Sequence, residues 1–570
     1  MNRSKGSSVL FALGVSAVLW LALTLLTGVP ASAEGDSVLF ATPNGTGTVC
    51  SRAAPCSISA AVNKAASGDS VYLGAGTYHG SGGAVISITK SLALLCGWNG
   101  SSTAGVIRDP AAYRSVIDGQ GQRRGIFIST TGPVGVDGCV IIRGTASMAP
   151  NKGAGGGIYS ADAVPLLMNN VITACTASLA TGSNGVGGGV FVANASGGYI
   201  SHNWLQDNWA SASGSGHGGA IALSQVRHVT LDQNTLLHNA GSITNGLGYG
   251  GGLYIEQSSD VLISANEFRN NAAQVGYCAA TLGSFGGGVL FGLSDHITLT
   301  NNLFFDNHAS LTSRGTGGAL AFSMAGYVLV RHNQIDSNTA SNGSGQVRGD
   351  GGGIAVEYCH QLAIEQNTIV RNQASASFMG FGGAIHLGGA THFTLTNNLI
   401  ADNNASREGG GLSFESDVNE PVTGTLLHNT FARNTSGSGS GQDAIHAEMA
   451  EVHLTGMNNL FYFHRYAVFG GAGAAITLTR SLYFGNTLAD TGGGGVVDIS
   501  PIRGADPLLK SNLRLRTGSP AIDAGVNAGV TVDLDGDPRP MGSAPDIGAD
   551  EATVTVLRVY LPVLGKAQRP

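Results

Sequence analysis

Charge is what this sequence has least of. Asp, Glu, Lys and Arg make up 11% of its 570 residues, where an ordinary globular chain carries about 25%. Helical bundles and disordered tails both depend on more charge than that, so neither describes it. A basic excess is also missing. Residues 1–33 hold two of the 29 basic residues and no acidic ones, so the chain after them has 27 basic against 36 acidic residues and a formal charge of −9. That balance excludes nucleic acid as a natural partner. Long apolar runs are lacking beyond Val9–Leu26, and no cysteine set has the spacing of a zinc site.

The single apolar run sits in a leader. Arg3 and Lys5 precede it, and Pro30 with Ala31-Ser32-Ala33 follows it as a small-x-small cleavage site. A signal peptide over 1–33 is expected, with an uncleaved anchor as the alternative because the run has 18 residues. The mature protein is then secreted or on the cell surface, a monomer with no transmembrane segment. Export permits disulfides, and seven cysteines cannot all pair internally. Cys50 and Cys56 close a short loop and are the expected bridge. Cys96, Cys139, Cys175, Cys278 and Cys359 fall one per segment and read as buried small hydrophobes.

What the chain does have is glycine, 88 residues, about twice the usual share of about 7%. A glycine pair followed by an apolar residue recurs with that residue at Ile158, Val190, Ile221, Leu253, Val289, Leu320, Ile354, Ile385 and Leu412, at intervals of 32, 31, 32, 36, 31, 34, 31 and 27. A second mark is an Asn before an apolar strand, at Asn170, Asn203, Asn234, Asn266, Asn302, Asn333, Asn367, Asn398, Asn429 and Asn459. A third Asn column runs five residues later, from Asn208 to Asn434.

Three phased marks define a solenoid repeat. Each unit reads as three short strands with one apolar face, such as Ile221-Ala222-Leu223, Val229-Thr230-Leu231 and Thr235-Leu236-Leu237. One coil cannot bury that face, so about ten coils of roughly 32 residues must stack about 4.8 Å apart. The expected fold is an all-β, right-handed parallel β-helix, single-stranded, with three strands per coil. Asn suits the sharp corners because it tolerates left-handed backbone and its amide can bond to the next coil. Stretches such as Ala240 to Tyr249 are longer than turns require and should stack as a wall of loops beside an exposed strand face, where a polymer groove would form.

Solenoid ends need covers. Ser57 to Ser67, with Ile58, Ala61, Val62 and Ala65 at helical spacing, is the expected N-terminal capping helix. The expected organisation is a signal peptide (1–33), an N-terminal cap and first coils (34–125), β-helix repeats (126–500), a C-terminal cap closing the far end (501–551), and a final strand and tail (552–570).

These marks resemble the parallel β-helix superfamily that includes the pectate lyases, over roughly residues 70 to 550. Gly218-Gly219-Ala220-Ile221 and Gly382-Gly383-Ala384-Ile385 are similar to the repeats of polymorphic outer membrane proteins, which are associated with adhesion. Ser519-Pro520-Ala521-Ile522-Asp523-Ala524-Gly525, Asp533-Leu534-Asp535-Gly536-Asp537-Pro538-Arg539 and Asp546-Ile547-Gly548-Ala549-Asp550-Glu551 are similar to the choice-of-anchor Q region of exported β-helix proteins. The resemblance implies fold and export; β-helices host lyases, hydrolases, adhesins and inert scaffolds alike.

In so uncharged a chain, ionisable groups on one strand face stand out. Outward positions after the glycines place Glu357, His386 and Glu415 on successive coils, with Arg348, Asp350, Arg407 and Glu408 just before the glycines. Glu357 and Glu415 are two coils apart, about 10 Å at the backbone, a spacing compatible with an inverting glycosidase. A lyase would instead draw its base from Arg407 or His386. The expected catalytic candidates are therefore Glu357, His386, Glu415 and Arg407. Tyr159, Phe191 and Tyr254, outward in the same column, with Asp350 and Glu408, are the expected substrate contacts. Asp533, Asp535, Asp537, Asp546 and Asp550 offer hard oxygens at a density that suits Ca²⁺, although the EF-hand pattern is absent; the competing reading pairs them with Arg539. Three functions follow: a binder of polysaccharide or another cell-surface polymer, a polysaccharide lyase or inverting hydrolase, and a structural spacer.

Overall fold

The computed structural model describes residues 37–552, apart from 103–105, 148–150, 279–282, 378, 390, 417–420, 438–442, 449–450 and 472. The expected leader and the strand and tail after 552 lie outside the described residues. Within them the chain is a right-handed parallel β-helix. Each coil contributes one strand to each of several parallel ladders. In the coil that starts at Ile221, the first ladder takes Ile221–Ser224, the second Arg227–Asp232 and the third Thr235–Leu237. The third ladder is 15 strands deep, more than the expected ten coils, because rungs continue before and after the glycine-marked repeats.

Stacking follows from the alternation of side chains. In the second ladder Val229 and Leu231 point inward and are buried, while Thr230 lies on the outer side. Piled rung on rung, such residues make one continuous core from Leu39 to Tyr483. Aromatics stack within it at the rung spacing, as Phe268 on Phe304 (4.8 Å) and Phe291 on Phe322 (4.9 Å).

The corners divide the expected work of Asn between two residues. Asn234 and Asn239 have ordinary backbone; the left-handed residues are their predecessors, Gln233 (φ 53°) and His238 (φ 53°). What the Asn supplies is the amide column. Asn203 donates from Nδ2 to Asn234 Oδ1 (2.9 Å), and Asn234 repeats the bond to Asn266 (2.9 Å). The glycine pair divides its work too: Gly218 is left-handed (φ 67°), whereas Gly219 has no room for a Cβ, which would lie 2.3 Å from the Gly251 carbonyl oxygen.

The expected loop wall is partly strand. Ala240–Ser242 and Gly248–Tyr249 each pair with their equivalents in neighbouring coils, forming ladders of nine and seven strands. The connection thus folds back on itself as a thin fin beside the first ladder.

The N-terminal helix spans Ile58–Lys64, shorter than expected, with Ser57 Oγ accepting from the Ala60 N–H. It turns Ile58, Ala61 and Val62 onto the first coils. Cys50 and Cys56 are bonded. Cys96 and Cys139 are bonded as well, correcting the reading of both as lone buried thiols. Rungs repeat at about 4.8 Å, so cysteines at one corner of adjacent coils come within bridging distance although 43 residues separate them. Cys175 and Cys359 are free thiols, and they and Cys278 are buried.

The C-terminal segment, expected as an end cap, packs on the side of the coils. From Leu509 to Ala552 it runs along the outside of the third ladder, packing Leu513, Leu534 and Ala549 on Val370, Leu399 and Ala432, and Leu515, Ala521 and Ile547 on Leu460 and Leu482. These clusters are separate from the main core, because the third ladder carries apolar side chains on its outer face there as well as its inner one.

Candidate functional site

The charged residues of the first ladder do meet. Parallel register puts Ala355, His386 and Ser413 in one outward column and Glu357, Gly388 and Glu415 in the next. Phe381 and Asp350 face them from the fin. Arg348 bridges Asp350 and Glu415, and His386 Nε2 stands 3.6 Å from Glu415 Oε2. Hydrogen bonding to His386 and Arg348 holds the Glu415 carboxyl down to about 2, whereas burial pushes Glu357 up. Arg407 pairs with Glu408 (3.1 Å), and both Arg407 and Arg348 lie over the Phe381 ring.

Several of these groups are not where a substrate would reach them. His386 is 4% exposed and spends Nδ1 on Ser413 Oγ (2.8 Å), and Asp350 is 2% exposed between Arg314 and Arg348. Tyr159 and Tyr254, expected to face solvent, are buried, and Phe191 is half-buried. The fin explains this. Its outward column, Val186, His217, Tyr249 and Phe285, lies over Phe191, Ala222, Tyr254 and Leu290 of the first ladder and closes the expected groove with an apolar seam. His217 stacks on Tyr249 at 4.6 Å and meets the edge of Tyr254 at 5.0 Å.

An open concavity lies over the second ladder, as a trough of about 930 Å³. Two outward columns line it. One reads Asp260, His296, Tyr327, Gln361, His392, Thr423 and His453 along seven successive rungs; the other contains Thr298, Leu329, Ala363, Thr394, Thr425 and Thr455. Six rung spacings make the floor roughly 29 Å long. The rings form a row: His296 to Tyr327 is 5.0 Å between centroids, Tyr327 to the flanking His360 5.5 Å, and His360 to His392 6.4 Å. Tyr327 is 42% exposed. Sequence reasoning missed this surface because it followed outward residues only on the strand after the glycines; the period-2 positions of the following strand carried the signal.

The acidic residues of the C-terminal segment are occupied by protein donors. Asp533 Oδ1 accepts from the Asp535 and Asp537 N–H groups and its Oδ2 from Glu551 N–H. Asp546 accepts from Asp523 and Ala552 N–H groups, Asp550 from Leu515 N–H, and Asp535 takes a two-pronged bond from Arg514. Arg539, 5% exposed, reaches Glu551 (3.1 Å), His428 Nδ1 (2.8 Å) and the Gly548 carbonyl oxygen (3.1 Å). Arginine and backbone amides take up part of these carboxylates' capacity, while one oxygen each of Asp533, Asp535 and Asp550 lies within 4.8 Å of the other two, a grouping that could hold a cation.

No helix among the described residues is long and apolar enough to cross a membrane. Curated proteins yield no match. Among solved structures, pectate lyase Pel9A is 14% identical over 93% of this chain and 99% of its own (TM-score 0.27). The tailspike protein of E. coli bacteriophage HK620, in complex with a pentasaccharide, is 11% identical over 75% and 73% (0.33). PfbA, a surface adhesin of Streptococcus pneumoniae, is 13% identical over 78% and 85% (0.32). The model of the right-handed β-helix region matches residues 114–318 and 220–497, most of the coils described above, and the chain belongs to that family.

Proposed function

We propose that this is an exported, cell-surface or secreted β-helix protein that binds polysaccharide along the trough of its second ladder. The observation that carries the reading is the unbroken outward column from Asp260 to His453, in which rings, amides and hydroxyls recur once per rung. Sugars offer hydroxyls at short intervals and an apolar ring face, and such a column meets both, with Thr hydroxyls beside it and Tyr327 for stacking. Among the described residues that line it only Asp260 is acidic, so the chemistry suits retention of a polymer more than its hydrolysis. The rigid core below keeps the groups in register without ordering cost on binding.

The test is affinity electrophoresis against a panel of neutral and acidic polysaccharides. Retardation by at least one, weakened about tenfold or more in Tyr327→Ala and His392→Ala, is the expected result. Absence of retardation by every polysaccharide would leave the spacer reading in its place. A second reading has one specific observation in its favour: Glu357 and Glu415, two rungs apart, are pushed to opposite sides of the usual carboxylate range, the pattern of an acid beside a carboxylate that stays ionised. New reducing ends, lost in Glu357→Gln, would establish a hydrolase.

A further inference from the structure

We propose a binding site for one divalent transition ion, Zn²⁺ or Mn²⁺, formed by Glu408, His446 and Glu448 where the fin meets the first ladder. The ligands come from two parts of the coil surface, Glu408 from beside the fin and His446 with Glu448 from the end of one first-ladder strand. Glu408 pairs with Phe381 in the fin. His446 stacks above Ser413 in the outward column of the first ladder. Glu448 follows two residues later, as Glu415 follows Ser413. The ligand atoms all lie within 4.8 Å of one another.

The imidazole points to an ion on independent grounds. His446 is 6% exposed, yet its Nε2 has no hydrogen-bond partner among the described residues. Glu408 Oε2 and Glu448 Oε2 face that nitrogen from 3.7 and 3.5 Å. Those separations are long for hydrogen bonds. They are close to the donor-to-donor distance of about 3.4 Å that bonds of about 2.1 Å produce in a tetrahedral zinc site.

The surroundings match a built site. Asp443, fully buried, bonds His446 Nδ1 at 2.7 Å, which leaves Nε2 as the free lone pair in the manner of a carboxylate that orients a metal-bound histidine. Phe469 stacks on the imidazole at 4.9 Å and fixes its plane. Arg407 holds the other oxygen of Glu408 (3.1 Å). One nitrogen and two carboxylate oxygens favour a borderline ion over Ca²⁺, which takes six to eight oxygens. Glu448 is exposed, so the remaining coordination positions open to solvent.

Calorimetric titration of the full mature chain with Zn²⁺ after dialysis against chelator tests this, with Mn²⁺ and Ca²⁺ as comparisons. One equivalent of Zn²⁺ is expected, bound more tightly than Mn²⁺ and not displaced by Ca²⁺. Glu448→Gln, on the surface and harmless to folding, should weaken binding at least tenfold, and Asp443→Asn roughly 10- to 100-fold. His392→Ala, in the exposed histidine row of the trough, should leave it unchanged. A folded wild-type protein that takes up no Zn²⁺, or Zn²⁺ uptake lost in His392→Ala and kept in Glu448→Gln, would overturn the assignment.

Discussion

The Asn234 side chain makes four hydrogen bonds in a buried corner. Its Nδ2 donates to the Ile200 carbonyl oxygen (2.7 Å) and to Asn266 Oδ1 (2.9 Å), while its Oδ1 accepts from the backbone and side-chain N–H groups of Asn203 (3.0 and 2.9 Å). Each partner left unmatched in a buried place costs about 1–3 kcal/mol. Asn234→Ala should therefore destabilise the protein by at least about 3 kcal/mol in urea unfolding, and a loss under about 1 kcal/mol would mean that water or neighbours replace the amide. His464 makes a different prediction. Burial pushes its imidazole down to about 3, below the unfolded value of 6.5. The unfolded chain then takes up the proton first, so the contribution of His464 is complete above pH about 6.5 and is lost as pH falls toward about 3, by at most about 1.4 kcal/mol per pH unit. His464→Gln should flatten the acid side of the stability curve; an unchanged slope would show that the site is not dry.

Among the elements, the C-terminal segment is held by one buried arginine. Arg539 meets Glu551, His428 and two carbonyl oxygens. Replacing it with Met leaves Glu551 buried without a counter-charge, at a cost of about 3–5 kcal/mol. Because the segment packs through its own clusters, limited proteolysis of Arg539→Met should cut within 504–552 while the coils stay protected. Cleavage spread over the whole chain would show that the segment and the solenoid unfold together. A separate C-terminal segment after about residue 501 and its acidic pattern were legible in the sequence. Their placement was not, since it depends on apolar residues such as Leu399, Leu460 and Leu482 on the outer side of the third ladder, where alternation gives no sign of a partner. Cys96 and Cys139 were hidden for a related reason: only rung register brings distant cysteines together.

Across the whole molecule, the repeat was the most legible feature, since Gly218, Gly219 and Asn234 each answer a steric or hydrogen-bonding demand that recurs in every coil. The open groove was less so. The position of the fin decides it, and a run such as Ala240 to Tyr249 reads equally well as a loose loop or as two short strands. Once the fin covers Tyr254, the neighbouring face becomes the accessible one, and His296, Tyr327 and His392 stand on it. Diffraction from crystals soaked with an oligosaccharide that the protein retains tests that assignment most directly. Sugar density is predicted along the second ladder, with a ring against Tyr327 and hydroxyls near Gln361, His392 and the Thr column. Density over the first ladder, between Glu357 and Glu415, or anywhere away from the trough, would contradict it.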